Sequence, residues 1–165
     1  MRKVPAIIDT DNNLTLAESH TILRYLCLKF NLPEQWYPLK DLARQAKLNE
    51  FLDFHHSNTR KCSYLAFHIL FAPLLKLGDP TFNEKHTYRV VNSALRNFEK
   101  IYLKEQLFLG EENPNIGDLI AFHDITMLEL LDFDYTPYTH IQKWVARMKE
   151  FPYIKKANEQ FWASK

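Results

Sequence analysis

Glycine is scarce in this sequence: Gly78, Gly110 and Gly117 are all there is. A phosphate-cradling loop needs several glycines close together, so nucleotide sites of that kind are excluded. Cysteine is scarcer still. Cys27 and Cys62 are too few for a disulfide framework, and each sits in an amphipathic stretch where a buried thiol is ordinary. That usage predicts a reducing compartment, the cytoplasm or another intracellular space. Long apolar runs are missing, and none approaches the ~20 residues that span a membrane. Residues 4–8 are apolar but are cut off by Asp9 and Asp11, which rules out a secretory signal. An excess of one charge is missing too. Twenty-one basic residues face 20 acidic ones, with no basic run of the kind that follows a nucleic-acid backbone.

What is present is apolar residues at helical spacing, within a 46% hydrophobic composition able to fill a core. Residues 4–8 read as a short strand, 9–13 as a turn, and 14–16 as a returning strand. Thr15 and Glu18 then have capping-box spacing before an apolar stripe of Ile22, Leu23, Leu26 and Phe30. Residues 31–40 form a linker with two prolines and an exposed Trp36-Tyr37 pair. A long helix is predicted from about Asp41 to Leu70, ended or kinked by Pro73. A second follows Thr81 and Glu84, again at capping-box spacing. A third is capped by Asn115 with Asp118 at its third position. A fourth opens at Thr136-Pro137, and a last one opens at Pro152. The predicted fold is α+β: a hairpin and one helix (residues 1–30), a linker (31–40), and an all-helical domain (41–165).

No nucleophile set and no metal set stands out. Neighbouring helical residues point about 100° apart, so neither His55-His56 nor His123-Asp124 can close on one ion from a regular helix. Neither cysteine pairs with a histidine at zinc spacing. His20 and His68 are expected at helix surfaces or boundaries. Trp144, Phe122 and Tyr102 lack the basic interleaving of a nucleic-acid platform and read as core.

Several short motifs, in order, resemble the theta class of glutathione S-transferases. Lys3-Val4-Pro5-Ala6 resembles the family's strand into a cis-proline. Glu18-Ser19 resembles the acidic-Ser pair that opens the third helix of its thioredoxin-like domain. Trp36-Tyr37-Pro38 resembles the theta linker, and Arg60 falls where theta enzymes carry an arginine facing the active site. Phe108-Leu109-Gly110 with Asn115-Ile116-Gly117-Asp118 resembles the capping-box helix of the C-terminal domain.

The resemblance implies a partial thioredoxin-like domain joined to the helical transferase domain. It implies glutathione as co-substrate, with no other cofactor, held along Lys3, Val4, Pro5, Glu18 and Ser19, with Arg60 at the substrate site. The backbone before the proline would pair with the cysteinyl unit. Ser19 and the helix N–H groups would meet the γ-glutamyl carboxylate, and Glu18 the ammonium. Read without the family, Val4-Pro5 is equally a trans turn, Glu18 a capping-box member, and Arg60 a solvated charge. The family's first βαβ unit, roughly 30 or more residues, has no counterpart here, and it carries the catalytic Ser or Tyr. The expectation is a chain without its own catalytic residue, with an exposed strand edge at Val4 covered by a homodimer mate or a partner chain. The alternative is a non-catalytic transferase-like module that serves assembly.

Overall fold

The computed structural model of the chain describes residues 4–104 and 106–163, the last three by their backbone alone. Lys3 lies outside the described residues. Two short strands, β1 (Ala6–Asp9) and β2 (Leu14–Ala17), pair antiparallel in the register Ala6 with Ala17 and Asp9 with Leu14. The intervening turn is rich in Asp and Asn, as a tight reversal requires. Asp9 is buried at its start and accepts from the Asp11 N–H (3.1 Å), Asn12 Nδ2 (3.0 Å) and Tyr25 Oη. Lys29 Nζ lies 2.6 Å away and, with Tyr25 and Asn12, holds this carboxyl well below the usual carboxylate range. Tyr25 and Lys29 belong to α1 (Ser19–Lys29), so one aspartate pins the hairpin to its helix.

Among the described residues seven further α-helices follow: α2 (Leu42–Ser57), α3 (Lys61–Ala66), α4 (Ala72–Leu75), α5 (Glu84–Asn97), α6 (Ile116–Thr126), α7 (Thr139–Glu150) and α8 (Pro152–Ala163), with a 3-10 turn, Met127–Leu131, after α6. The first of the five predicted helical stretches is therefore divided. Asp41 caps α2 through the N–H groups of Ala43 and Arg44 (3.1 Å each), but the helix stops at Asn58. An elbow at 58–60 then leads into α3. Pro73 follows closely on a π-helical turn (Phe67–Phe71), and the helical run ends two residues beyond it at Leu75. It sits in the first turn of α4 (Ala72–Leu75). Two wider π-helical turns, Phe67–Phe71 and Phe98–Leu103, extend α3 and α5.

Three predicted caps are corrected. Thr15 is taken up in β2 opposite Ile8, so it cannot cap α1, and Glu18 is the N-cap residue without a side-chain bond. Thr81 bonds Asp79 in a turn, and α5 is capped by Asn83 accepting from the His86 N–H (2.8 Å). Thr136 likewise bonds Asp134, and α7 begins at Thr139. The first N–H groups of α7 are met from another helix. Buried Glu99, in the second π-helical turn, accepts from His140 and Ile141 (2.8 Å each).

The fully buried Phe98, Phe122 and Trp144 make the centre of the core, each contributing about 1.5–3 kcal/mol by burial alone. Phe51 packs on Phe98, and Trp144 edges both Phe98 and Phe122. The capping box of α6 is present as read: Asn115 accepts from Gly117, and Asp118 accepts from the Asn115 N–H (2.9 Å). Asp118 also takes the Leu109 N–H and Trp144 Nε1. Trp36 and Tyr37 are half-buried rather than exposed. Trp36 rests edge-on against Tyr153, and its carbonyl accepts the Ile116 N–H, tying the linker to α6 and α8.

Candidate functional site

The hairpin register decides the first half of the site. Because Ala6 faces Ala17, the residues just before β1 and just after β2 leave the sheet at the same end. Val4-Pro5 and Glu18-Ser19 are thus neighbours, as their assignment to one ligand demands. The Val4–Pro5 bond is cis. Val4 is 89% exposed, so its backbone lies at an open surface. Glu18 has φ 71° and ψ 111°, a conformation that costs a non-glycine residue about 1–3 kcal/mol. Its carbonyl still accepts the Ile22 N–H at 2.9 Å. The Glu18 carboxylate and the Ser19 hydroxyl make no side-chain bond among the described residues, which leaves both available at the helix start.

The second half lies across from α1. A cavity of about 750 Å³ opens beside the elbow, lined by His56, Arg60 and Lys61, by His123 and Asp124 of α6, and by Asn158 of α8. The structure brings Arg60 to this wall and within electrostatic reach of His20 on α1. His55 is buried and His56 exposed, as adjacent helical positions require.

Sequence reasoning missed what holds the elbow. His55 is wholly buried, with Nδ1 2.7 Å from Thr59 Oγ1 and Nε2 2.9 Å from Asp124 Oδ2. Its carbonyl accepts the N–H groups of Asn58 (3.2 Å) and Arg60 (3.0 Å). A Thr-His-Asp line invites comparison with a nucleophilic triad, but Thr59 has no exposed surface for a substrate to reach. The line is an architectural clasp between α2 and α6. One signal for it was the residue pair His123-Asp124, read only as a failed metal site. Burial lowers the pKa of His123, partly offset by Asp124. No group of three His, Cys, Asp or Glu side chains among the described residues is placed to hold a metal ion.

No protein-family model matches the chain. Glutathione S-transferase T2 of Arabidopsis thaliana is 30% identical over 176 residues, covering all of this chain and 29% of that protein. Glutathione S-transferase theta-1 of Gallus gallus is 29% identical over 153 residues, covering 91% of this chain and 58% of that protein. The apo structure of human glutathione-S-transferase T1-1 superposes with a TM-score of 0.80 at 27% identity, over 95% of this chain and 67% of that one. The chain is a homologue of theta-class glutathione transferases.

Its hairpin and α1 are a partial thioredoxin-like unit, and α2 to α8 form the transferase helical domain. The chain spans 29% and 58% of those two curated theta relatives. Human theta-2, solved in complex with glutathione and an unknown ligand, shares the fold with a TM-score of 0.81 at 23% identity.

Proposed function

We propose that this chain supplies the γ-glutamyl and cysteinyl backbone half of a glutathione site, together with the electrophile cavity, of a glutathione transferase. The observation that carries the reading is the register that sets Val4-Pro5 beside Glu18-Ser19, two polar side chains at the start of α1 that make no side-chain bond among the described residues. Lys3 and the Val4 backbone would line the cysteinyl unit. Ser19 and the first N–H groups of α1 would take the γ-glutamyl carboxylate, and Glu18 its ammonium. Arg60 faces the small electrophile. Two buried free thiols suit a reducing cytoplasm.

The test is calorimetry with glutathione on the wild type, Glu18→Gln and Ser19→Ala. Each substitution removes a charge-assisted hydrogen bond worth about 1.5–3 kcal/mol, so roughly ten- to hundredfold weaker binding is expected. Unchanged affinity in both variants overturns the placement of the site. A second reading, a module kept for assembly, draws on the outer edge of β1, where Val4 and Ile8 are 89% and 76% exposed. Under it, glutathione does not bind, and light scattering shows a dimer or a stoichiometric complex seated on that edge.

A further inference from the structure

The turn between α4 and α5 carries apolar side chains on its outside. Leu74, Leu77 and Leu75 are 80%, 60% and 57% exposed, and Phe71 is exposed beside them. Four large apolar residues within seven positions form a patch, unlike the single exposed leucines of an ordinary surface. The backbone that carries them is fastened from behind. Asp79 accepts from Tyr64 Oη (2.8 Å) and from the N–H and hydroxyl of Thr81. The Ala72 carbonyl takes the Leu77 N–H at 2.9 Å. The His68 ring packs on those of Tyr64 and Phe82, with centroids 4.2 and 4.7 Å away. The patch is therefore preformed on a tied turn. Its charge is basic. Lys76 stands between Leu75 and Leu77, and Lys85 and Arg89 are exposed where α5 begins. None of these three makes an ion pair among the described residues. Of the two acids in residues 71–89, Glu84 is exposed, while Asp79 is taken up by Tyr64 and Thr81.

We propose that this tip docks on an anionic lipid surface, with Leu74, Leu75 and Leu77 entering the headgroup–acyl boundary and Lys76, Lys85 and Arg89 meeting the acidic headgroups. Attachment of that kind grows with the apolar area buried and with the attraction of basic groups to acidic lipids. A lysine among leucines suits the boundary, since its stem packs with the acyl chains while its ammonium stays among the headgroups. A folded protein is the poorer partner. Four side chains on one turn fall short of the about 800 Å² per partner that stable protein interfaces bury. The contact is shallow and reversible, and it is independent of the glutathione reading, which draws on the other end of the sequence.

The test sediments the full chain with vesicles of phosphatidylcholine alone and with vesicles one-third phosphatidylserine. Partitioning at least tenfold stronger onto the phosphatidylserine vesicles is expected, weakening as salt is raised. Leu74→Ser and Leu77→Ser should each weaken it by about tenfold. Lys76→Glu should weaken it by tenfold or more, because each basic group near such a surface is worth about fivefold. Lys143→Glu, at an exposed position of α7, should stay within threefold. All four positions are exposed, so each variant should keep the wild-type urea midpoint. Failure to sediment with phosphatidylserine vesicles, equal partitioning onto both kinds, or retention that survives Leu74→Ser and Leu77→Ser overturns the proposal. Light scattering without lipid covers the other occupant: a dimer that Leu74→Ser dissolves gives the patch to a second copy of the chain and overturns the lipid assignment.

Discussion

Burial displaces His20 and Asp118 in opposite directions. The His20 imidazole is held down at about 4, by desolvation first and by its cationic neighbours second. Its unfolded counterpart titrates near 6.5. Between those values the unfolded chain binds more protons, so this group's contribution to stability is present above pH 6.5 and is lost as pH falls towards 4. Asp118 is pushed up to about 7 by complete desolvation, although three N–H donors favour its charged form. Its contribution is largest at low pH and is lost as pH rises through 7. The two effects occupy the same window with opposite signs, so His20→Gln, which removes the upward slope, should leave the urea midpoint falling as pH rises from about 4 to 7. A profile unchanged by His20→Gln would show that the imidazole is not desolvated. At this scale the cis Val4–Pro5 bond and the Asn115–Asp118 box were legible, because each belongs to a short motif in fixed order. The clasp of His55 with Asp124 was not, since sequence spacing says nothing about which side chains meet from α2 and α6.

Among the elements, α6 has its beginning written beside it, as α2 has in Asp41 and α5 in Asn83. Asn115 and Asp118 close a reciprocal box, and Gly117 between them fits where a larger residue would not. A Cβ there would lie 2.9 Å from Phe51 Cδ1 and 3.0 Å from Leu109 Cδ1. Gly117→Ala should destabilise the fold by about 1–3 kcal/mol through overpacking, despite alanine's better helix propensity. Denaturant unfolding decides it, and a stabilised variant would mean that Phe51 yields freely. Thr15-Glu18 and Thr81-Glu84 show why the same spacing misleads elsewhere. A cap needs a free threonine with extended backbone at the helix start, and here β2 and the Asp79 turn claim those residues first. The break at 58–60 was invisible because no proline or glycine marks it. Its cause is the bonding around His55, which only the folded chain assembles.

Across the whole molecule, the two thiols report on different parts of the packing. Cys62 is fully buried among the bundle helices, which pushes its pKa well above the ordinary range. Cys27, on α1, is also buried and raised by desolvation, but its shelter depends on α1 staying docked against the helices. Both thiols should resist an aromatic disulfide reagent in the native protein and react once unfolded, with Cys27 modified faster than Cys62. Equal rates would mean that the hairpin, α1 and the bundle open as one unit.

The Glu99 contact bears on how such chains can be recombined. A segment spanning residues 115–131 travels with its own starting signal and is portable between relatives. One spanning residues 136–151 is not, because its opening instruction is stored in the turn that closes α5. Lifted out alone, it leaves its beginning behind.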